Sequence, residues 1–400
     1  MADASLEVVL LIVSLVLLVT IAAGTLSSRF GVPALIGFLA LGMAMGVDGP
    51  GGIGFDDFGF SQTVGSICLI FILFSGGLDT VWKTVRGAVP AALVLATVGV
   101  LVSAGIMGLA ASWLLDFSPL QGFLLGAVVA STDAAAVFAV LRSGAVALPA
   151  RVEGLIEFES GSNDPMAIFL VGAAILLLSK PGSAIAPLVS DFGVQMALGA
   201  LFGAAIGWCF PWFLKRVHAR FAGLGLVVSI ASALLAFSLA QVVGGNGFLS
   251  AYVAGLVAGN RSFAARRAVS AFQDGVAWLA QVVMFLTLGL LATPTQLLAI
   301  APTGLALAVI LMFVARPVSV FLCLAPFDYD WREKLLISWA GLRGAVPIVL
   351  ATFPIVAGVP GAFLIFNTIF FVVVLSSLVQ GPTLNLLAAR LLPRPDGADG

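Results

Sequence analysis

The sequence predicts an all-α polytopic membrane protein: 13 transmembrane helices, in six-helix inverted repeats with broken crossing helices. Three observations carry that prediction. Of the 400 residues, 61% are hydrophobic and 9% charged, against about 25% charged in a soluble domain. A chain so poor in charge cannot cover its own surface in water. The apolar runs recur near the length of roughly 20 residues that a helix needs to cross a bilayer. Two of the runs, at corresponding places in the two halves, are interrupted by small, polar or Gly/Pro residues around a charge.

Gly, Pro and charged breaks divide the runs into spans 6–26, 33–47, 62–79, 88–115, 119–141, 152–179, 191–217, 222–243, 247–260, 275–292, 296–324, 333–357 and 361–390. With the N-terminus outside, the inner loops hold Arg29, Lys83, Arg86, Arg142, Arg151, Lys215, Arg216, Arg220, Arg261, Arg266, Arg267, Arg332, Lys334, Arg390 and Arg394, 15 of the 18 basic residues. The outer loops hold only Lys180, together with Asp48, Asp56, Asp57, Asp116 and Asp191. Positive charge stays cytoplasmic during insertion, so this split sets an odd number of spans and a cytoplasmic C-terminus. The short ninth span is required, because without it the later basic loops would fall outside.

The composition also excludes classes. A net charge of -1 offers nothing to a nucleic acid, and one His and three Cys (Cys68, Cys209, Cys323), far apart, build no zinc cluster, haem motif or disulfide framework. The acidic opening MADASLE is unlike the positive start of a secretory signal, so no cleaved leader is expected. The sequence calls for no cofactor.

Several charges lie inside spans, where each costs about 2.5–3.5 kcal/mol even on the lenient insertion scale. With a rise of about 1.5 Å per residue, Glu159 lies roughly 10 Å from the inner end of its span, Asp133 and Arg316 roughly 12 Å, Arg343 roughly 15 Å and Asp164 roughly 18 Å. Spans five, six, eleven and twelve therefore bring their charges to one layer. In span six, Ser160 and Asp164 share a face and Glu159 and Asn163 the adjacent one. Glu153 and Glu157 lie nearer the inner end and read as a hydrated mouth; Asp79 reads as an exposed end charge.

Ser131-Thr132-Asp133 in span five compete with the helical backbone for hydrogen bonds, and Gly341, Gly344 and Pro347 surround Arg343 in span twelve. Both predict breaks. These spans are fifth in each set of six, and the intervening span 191–217 turns the second set over. The repeats are then 6–179 and 222–390, joined by 191–217. Broken helices so placed are the sequence pointer to an ion site.

Three acids (Asp133, Glu159, Asp164) face two bases (Arg316, Arg343). If each Arg holds one acid, one carboxylate remains, able to take a proton or one monovalent cation but not both. That competition couples the two flows in opposite directions, one for one and electroneutral. Asp164, the deepest, is the expected carrier, with Asn163 and Ser160 beside it. Thr132, Asp133 and Ser160 would complete an oxygen cage for a hard cation. Glu159 and Arg316 are expected to pair. Arg343 would offset either backbone carbonyls or Asp133.

At these residues the chain resembles the NhaP-type branch of the monovalent cation:proton antiporters. The segments are STDAAAVFAVLR (131–142), EFESGSNDPMAIFL (157–170), FVARPVSVF (313–321) and SWAGLRGAVPIVLATFP (338–354). The resemblance covers essentially all of 1–391 and implies an NhaA-like antiporter fold, a homodimer among membrane lipids of the cell inner membrane, and elevator-like alternating access. Electroneutral members carry Asn-Asp, as at Asn163-Asp164; electrogenic relatives carry Asp-Asp and a Lys in place of Arg316. Ala134 departs from the Pro that many relatives have. The wording is closest to a bacterial potassium/proton subgroup linked to cell-volume control, so K+ is favoured over Na+ as cargo. Those relatives often continue into a cytoplasmic regulatory domain, and the short cytoplasmic tail 392–400 reads as a truncation ahead of one.

Gly199, Gly203 and Gly207 are spaced for close helix packing, within the chain or at a dimer seam. His218 lies in a basic loop, and the 30 Phe residues are core or lipid-facing. An ion channel would need a filter repeated around an axis. A sodium-coupled solute carrier would need a site for an organic substrate, and no aromatic or basic cluster supplies one. No nucleophile–base set or metal triad marks an enzyme.

Overall fold

The computed structural model describes residues 5–29, 33–143, 148–218, 223–263 and 266–392. Among these, helices and turns are the only structure, with no strand. The helices are α1 (Leu6–Arg29), α2 (Ala34–Met45), α3 (Phe58–Asp79), α4 (Val89–Leu114), α5 (Pro119–Val129), α6 (Ala134–Ser143), α7 (Ala150–Ser179), α8 (Ala186–His218), α9 (Leu224–Val242), α10 (Gly247–Gly259), α11 (Arg266–Leu291), α12 (Ala301–Cys323), α13 (Trp331–Trp339), α14 (Ala345–Val356) and α15 (Ala362–Leu391), with short turns at Trp82–Val85 and Pro294–Ala299. Eight of the described helices are long and apolar enough to cross a membrane, and nine if the bent pair α5–α6 is one span.

Local chemistry sets many of the ends. Asp57 caps α3 through the Phe60 N–H at 2.8 Å. Ser118 and Gln121 form a capping box on α5, with Pro119 at the first position, and Asp330 and Glu333 form another on α13. The broken spans are present. Residues 130–133 leave the helix between α5 and α6, which meet at 41° although Ala134 supplies no proline. Residues 340–344 separate α13 from α14. The helix before each broken span contains a π-helical turn, Leu95–Gly99 in α4 and Leu311–Ala315 in α12; such turns are rare and gather at functional sites.

Three expected boundaries are corrected. α11 begins at Arg266 rather than at 275, which puts Arg266 and Arg267 in its first turn and Asp274 on the helix instead of in a loop. α8 begins at Ala186, so Asp191 is helical too. Charges at a helix end lower the hydropathy without interrupting the backbone hydrogen bonds. The span expected at 296–324 divides at Ile300, because Pro302 at the start of α12 has no N–H to give the preceding turn. The side chains of Arg29 and His218, and residues Arg220 and Arg394, lie outside the described residues.

α10 packs between α3 and α8, and α11 packs on α2 and α3. Gly199, Gly203 and Gly207 face the carbonyls of Asn246, Ser250 and Ala254, where a Cβ would come within 2.5–2.6 Å. These glycines serve packing of α8 on α10 within the chain, not a seam between chains. Cys68 and Cys323 are buried and Cys209 is exposed. A cavity of about 740 Å³ separates two groups of elements. α2, α3, α10 and α11 line one side; α6, α7 and the start of α14 line the other.

Candidate functional site

The two breaks cross and bind each other. The Asp133 N–H donates to the Leu342 carbonyl at 2.9 Å. Arg343, 1% exposed, donates from Nη1 to the Ala130 carbonyl at 2.7 Å and to that of Ser131. These carbonyls close the C-terminal end of α5, where a helix leaves acceptors unpaired and partial negative charge accumulates. Of the two roles open to Arg343, the geometry provides the carbonyl one. Asp133 is met differently: its Oδ1 accepts the Ala136 N–H at 3.1 Å, at the positive end of α6. The expectation that each Arg holds one acid is thereby corrected, since only Arg316 does.

α7 satisfies the opened backbone of the first break. Ser160 Oγ donates to the Thr132 carbonyl at 2.7 Å and accepts the Ala134 N–H at 2.8 Å. Asn163 Nδ2 donates to Thr132 Oγ1 at 2.6 Å, and Asn163 Oδ1 accepts the Thr132 N–H at 3.4 Å. Beneath them Arg316 and Glu159 form a two-pronged ion pair, Nη1 to Oε1 at 2.7 Å and Nη2 to Oε2 at 2.8 Å, with exposures of 4% and 1%. This fork geometry suits a guanidinium and not an ammonium.

Arg343 Nε and Nη2 and Arg316 Nε lack partners, but both side chains are anchored through their other nitrogens. Asp164 is buried with no base against it. Its Oδ1 has no hydrogen-bond partner, and neither does the neighbouring Ser131 hydroxyl. Thr132, Asp133, Ser160 and Asp164 line the cavity, whereas Asn163, Glu159, Arg316 and Arg343 do not. The structure thus divides the candidate residues: four present oxygens to the cavity, and four hold those in place. Asn163 belongs to the second set because its amide is taken by Thr132 and, at 3.4 Å, by Glu159. Pro165, next to Asp164, has no N–H for the Gly161 carbonyl, which opens one further oxygen beside the cavity. No group of three or more His, Cys, Asp or Glu able to hold a metal ion forms among the described residues; the donors here are two carboxylates and two hydroxyls.

Glu153, exposed, and Glu157, half-buried, line the cavity nearer the end that carries Arg142. Asp79 is exposed but faces this cavity, beside Asp274 of α11, whose Oδ1 accepts from Ser75 Oγ at 3.3 Å. Sequence reasoning missed Asp274 because it fell in a supposed loop. It also missed Ser377 and Gln380 of α15, which brace the second break. Ser377 Oγ donates to the Arg343 carbonyl at 3.1 Å, and Gln380 Nε2 to that of Trp339 at 3.0 Å. Three uncharged polar residues within five positions of an apolar run, Ser376, Ser377 and Gln380, were the available signal.

Crossed broken helices, a buried unpaired carboxylate and a cavity leading to it define a membrane transporter rather than an enzyme. Residues 13–390 match the family model described as sodium/hydrogen exchanger, transmembrane, and the chain belongs to that family. It is 45% identical over 384 residues to the K(+)/H(+) antiporter NhaP2 of Shewanella oneidensis, covering 95% of this chain and 66% of that one. It is 39% identical over 398 residues to the K(+)/H(+) antiporter NhaP of Alkalimonas amylolytica, covering 99% and 69%. The chain therefore spans about two thirds of the length of these curated relatives. Its fold is that of the sodium proton antiporter MjNhaP1 from Methanocaldococcus jannaschii at pH 8, with a TM-score of 0.83 at 22% identity over 97% of this chain and 100% of that one.

Proposed function

We propose that the chain exchanges a monovalent cation, K+ before Na+, for H+ across the inner membrane, one for one and without net charge transfer. The observation that carries this reading is the bare Asp164 carboxylate at the deep end of the cavity. Arg316 neutralises Glu159, an N–H in the first turn of α6 holds Asp133, and Asp164 keeps an oxygen with no partner. A buried carboxylate in that position must be neutralised to be stable, and either a proton or an alkali cation does so. Thr132, Ser160 and Asp133 supply the remaining oxygens of a cage for the cation. Because the two occupants exclude one another, movement of one drives the other the opposite way. The relatives named K(+)/H(+) antiporter support potassium as the cargo.

Thirteen crossings, with the N-terminus outside and the C-terminus in the cytoplasm, fit the helices when α5–α6 and α13–α14 each count as one crossing. The cavity then opens to the cytoplasm, where Arg142 lies. Two inverted repeats account for a π turn followed by a broken crossing in each half. Alternating access would be elevator-like: the elements carrying Asp164 and both breaks slide against α2, α3, α10 and α11, in a homodimer held in lipid. A cytoplasmic regulatory domain would be additional to this chain.

The test is transport in proteoliposomes with a preset pH gradient. Adding potassium should collapse the gradient without a membrane potential. Asp164→Asn, folded by size-exclusion and thermal-shift criteria, should abolish the response; retained activity in that variant would remove Asp164 as the carrier.

A further inference from the structure

We infer a second monovalent-cation site in the same cavity, nearer its mouth, built by Glu157, Thr80 and Tyr252. It rests on the antiport reading only for the identity of its ion. Glu157 precedes Asp164 by seven residues on α7. Two helical turns, about 10.5 Å, bring both carboxylates to one face, and both line the cavity. Glu157 is half-buried, and neither of the two ion pairs among the described residues includes it.

The other two residues come from the end of α3 and from α10, which meet α7 here. The Thr80 hydroxyl lies beside the Glu157 carboxylate and beside the Tyr252 hydroxyl. Its one proton is shared between the Gly76 carbonyl, at 2.9 Å, and the Glu157 carboxylate, and its lone pairs are open to a cation. Tyr252 is 3% exposed and lines the cavity, and its hydroxyl, with Thr80 alone beside it, completes no well-formed hydrogen bond. Buried polar groups are normally partnered, so an orphan of this kind indicates a missing water or ion. The ring is fixed in place. It lies on Gly161, where a Cβ would overlap it, and meets Phe158 edge-on at 6.4 Å.

The surroundings favour positive charge. Asp79, Asp274 and Glu153 lie around the mouth against Arg142 and Arg266, an excess of acid that concentrates cations. One carboxylate and two hydroxyl oxygens suit a partly hydrated alkali cation; a divalent ion would call for more charge. The site would capture the ion two turns before Asp164, with one ligand on the helix that carries Asp164 and two at the end of α3 and on α10.

The test uses the thallous ion as a heavy alkali mimic, located by anomalous diffraction in crystals of the whole chain. Two peaks are expected, one at Asp164 and one between Glu157 and Tyr252. Glu157→Gln should erase the second and keep the first, Tyr252→Phe should weaken the second, and Asp164→Asn should erase the first and keep the second. In proteoliposomes Glu157→Gln should raise the apparent KM for potassium about tenfold with Vmax unchanged, the scale of one lost charged contact. A peak at Asp164 with none at the mouth, or a mouth peak indifferent to Glu157→Gln, overturns the second site and leaves the antiport reading intact. A mouth peak with none at Asp164 supports the second site and removes the proposed carrier.

Discussion

At the scale of residues, the site sets one ion pair, Arg316 with Glu159, beside charges that no opposite charge holds. Arg316 and Glu159 sit nearly free of solvent with both prongs made. Removing one partner of such a pair typically costs about 3–5 kcal/mol, because the other charge is stranded. Glu159→Ala should therefore lower thermal stability strongly, read as a fall in melting temperature in detergent. The reversal Glu159→Arg with Arg316→Glu should recover part of the loss; a double variant no more stable than the single would mean that the pair does not act as a unit. That these two residues meet was legible in the sequence, since helical rise gives depth directly. Which group Arg343 takes was not. Depth is a single coordinate, and the direction of a side chain around its helix depends on how the two breaks cross. The orphan hydroxyl of Tyr252 was equally hidden, because a tyrosine in an apolar run looks like any core aromatic.

At the scale of elements, the breaks explain the glycines beside Arg343. Both serve clearance as well as breaking. A Cβ on Gly341 would lie 2.8 Å from Arg316 Nε, and one on Gly344 would overlap the Asp133 carboxylate. The second break is thus shaped around the side chains of α12 and of the first break. Gly344→Ala should cost about 1–3 kcal/mol, as overpacking does, and should raise the apparent KM for the cation by displacing Asp133. In an Asp133→Gly background all of the overlapping Asp133 side-chain atoms, Cβ included, are gone, so the stability cost of Gly344→Ala should largely vanish. An equal cost in both backgrounds, measured by thermal unfolding, would show that Gly344 serves the backbone alone. The breaks themselves could be read from Ser131-Thr132-Asp133 and from the Gly and Pro around Arg343, even without proline at Ala134. The start of α11 could not, because hydropathy reports the length of apolar chain and not where hydrogen bonding begins. Arg266, Arg267 and Asp274 are helical despite their polarity.

At the scale of the molecule, the charges divide by how they are held. Ion pairing, carbonyl contacts and a helix terminus fix Glu159, Arg343 and Asp133 into the scaffold, and the cavity reaches Asp164. The overall class was legible because a chain with so few charges has only a membrane to fold in, and because charges placed deep in apolar runs are costly enough to need a purpose. The grouping of elements around the cavity was not, since it rests on close approaches such as those of Gly199, Gly203 and Gly207 on α10, whose partners no spacing identifies.

The central claim is that one carboxylate hosts a proton or a cation in turn. The apparent KM for potassium, measured in proteoliposomes across a range of proton concentrations, tests it most directly. Competition predicts that on the acid side KM rises by about tenfold per pH unit, by mass action at a shared site, while Vmax stays constant. A KM that does not change with pH, with acid lowering Vmax instead, would contradict the account, because the two ions would then bind at separate places.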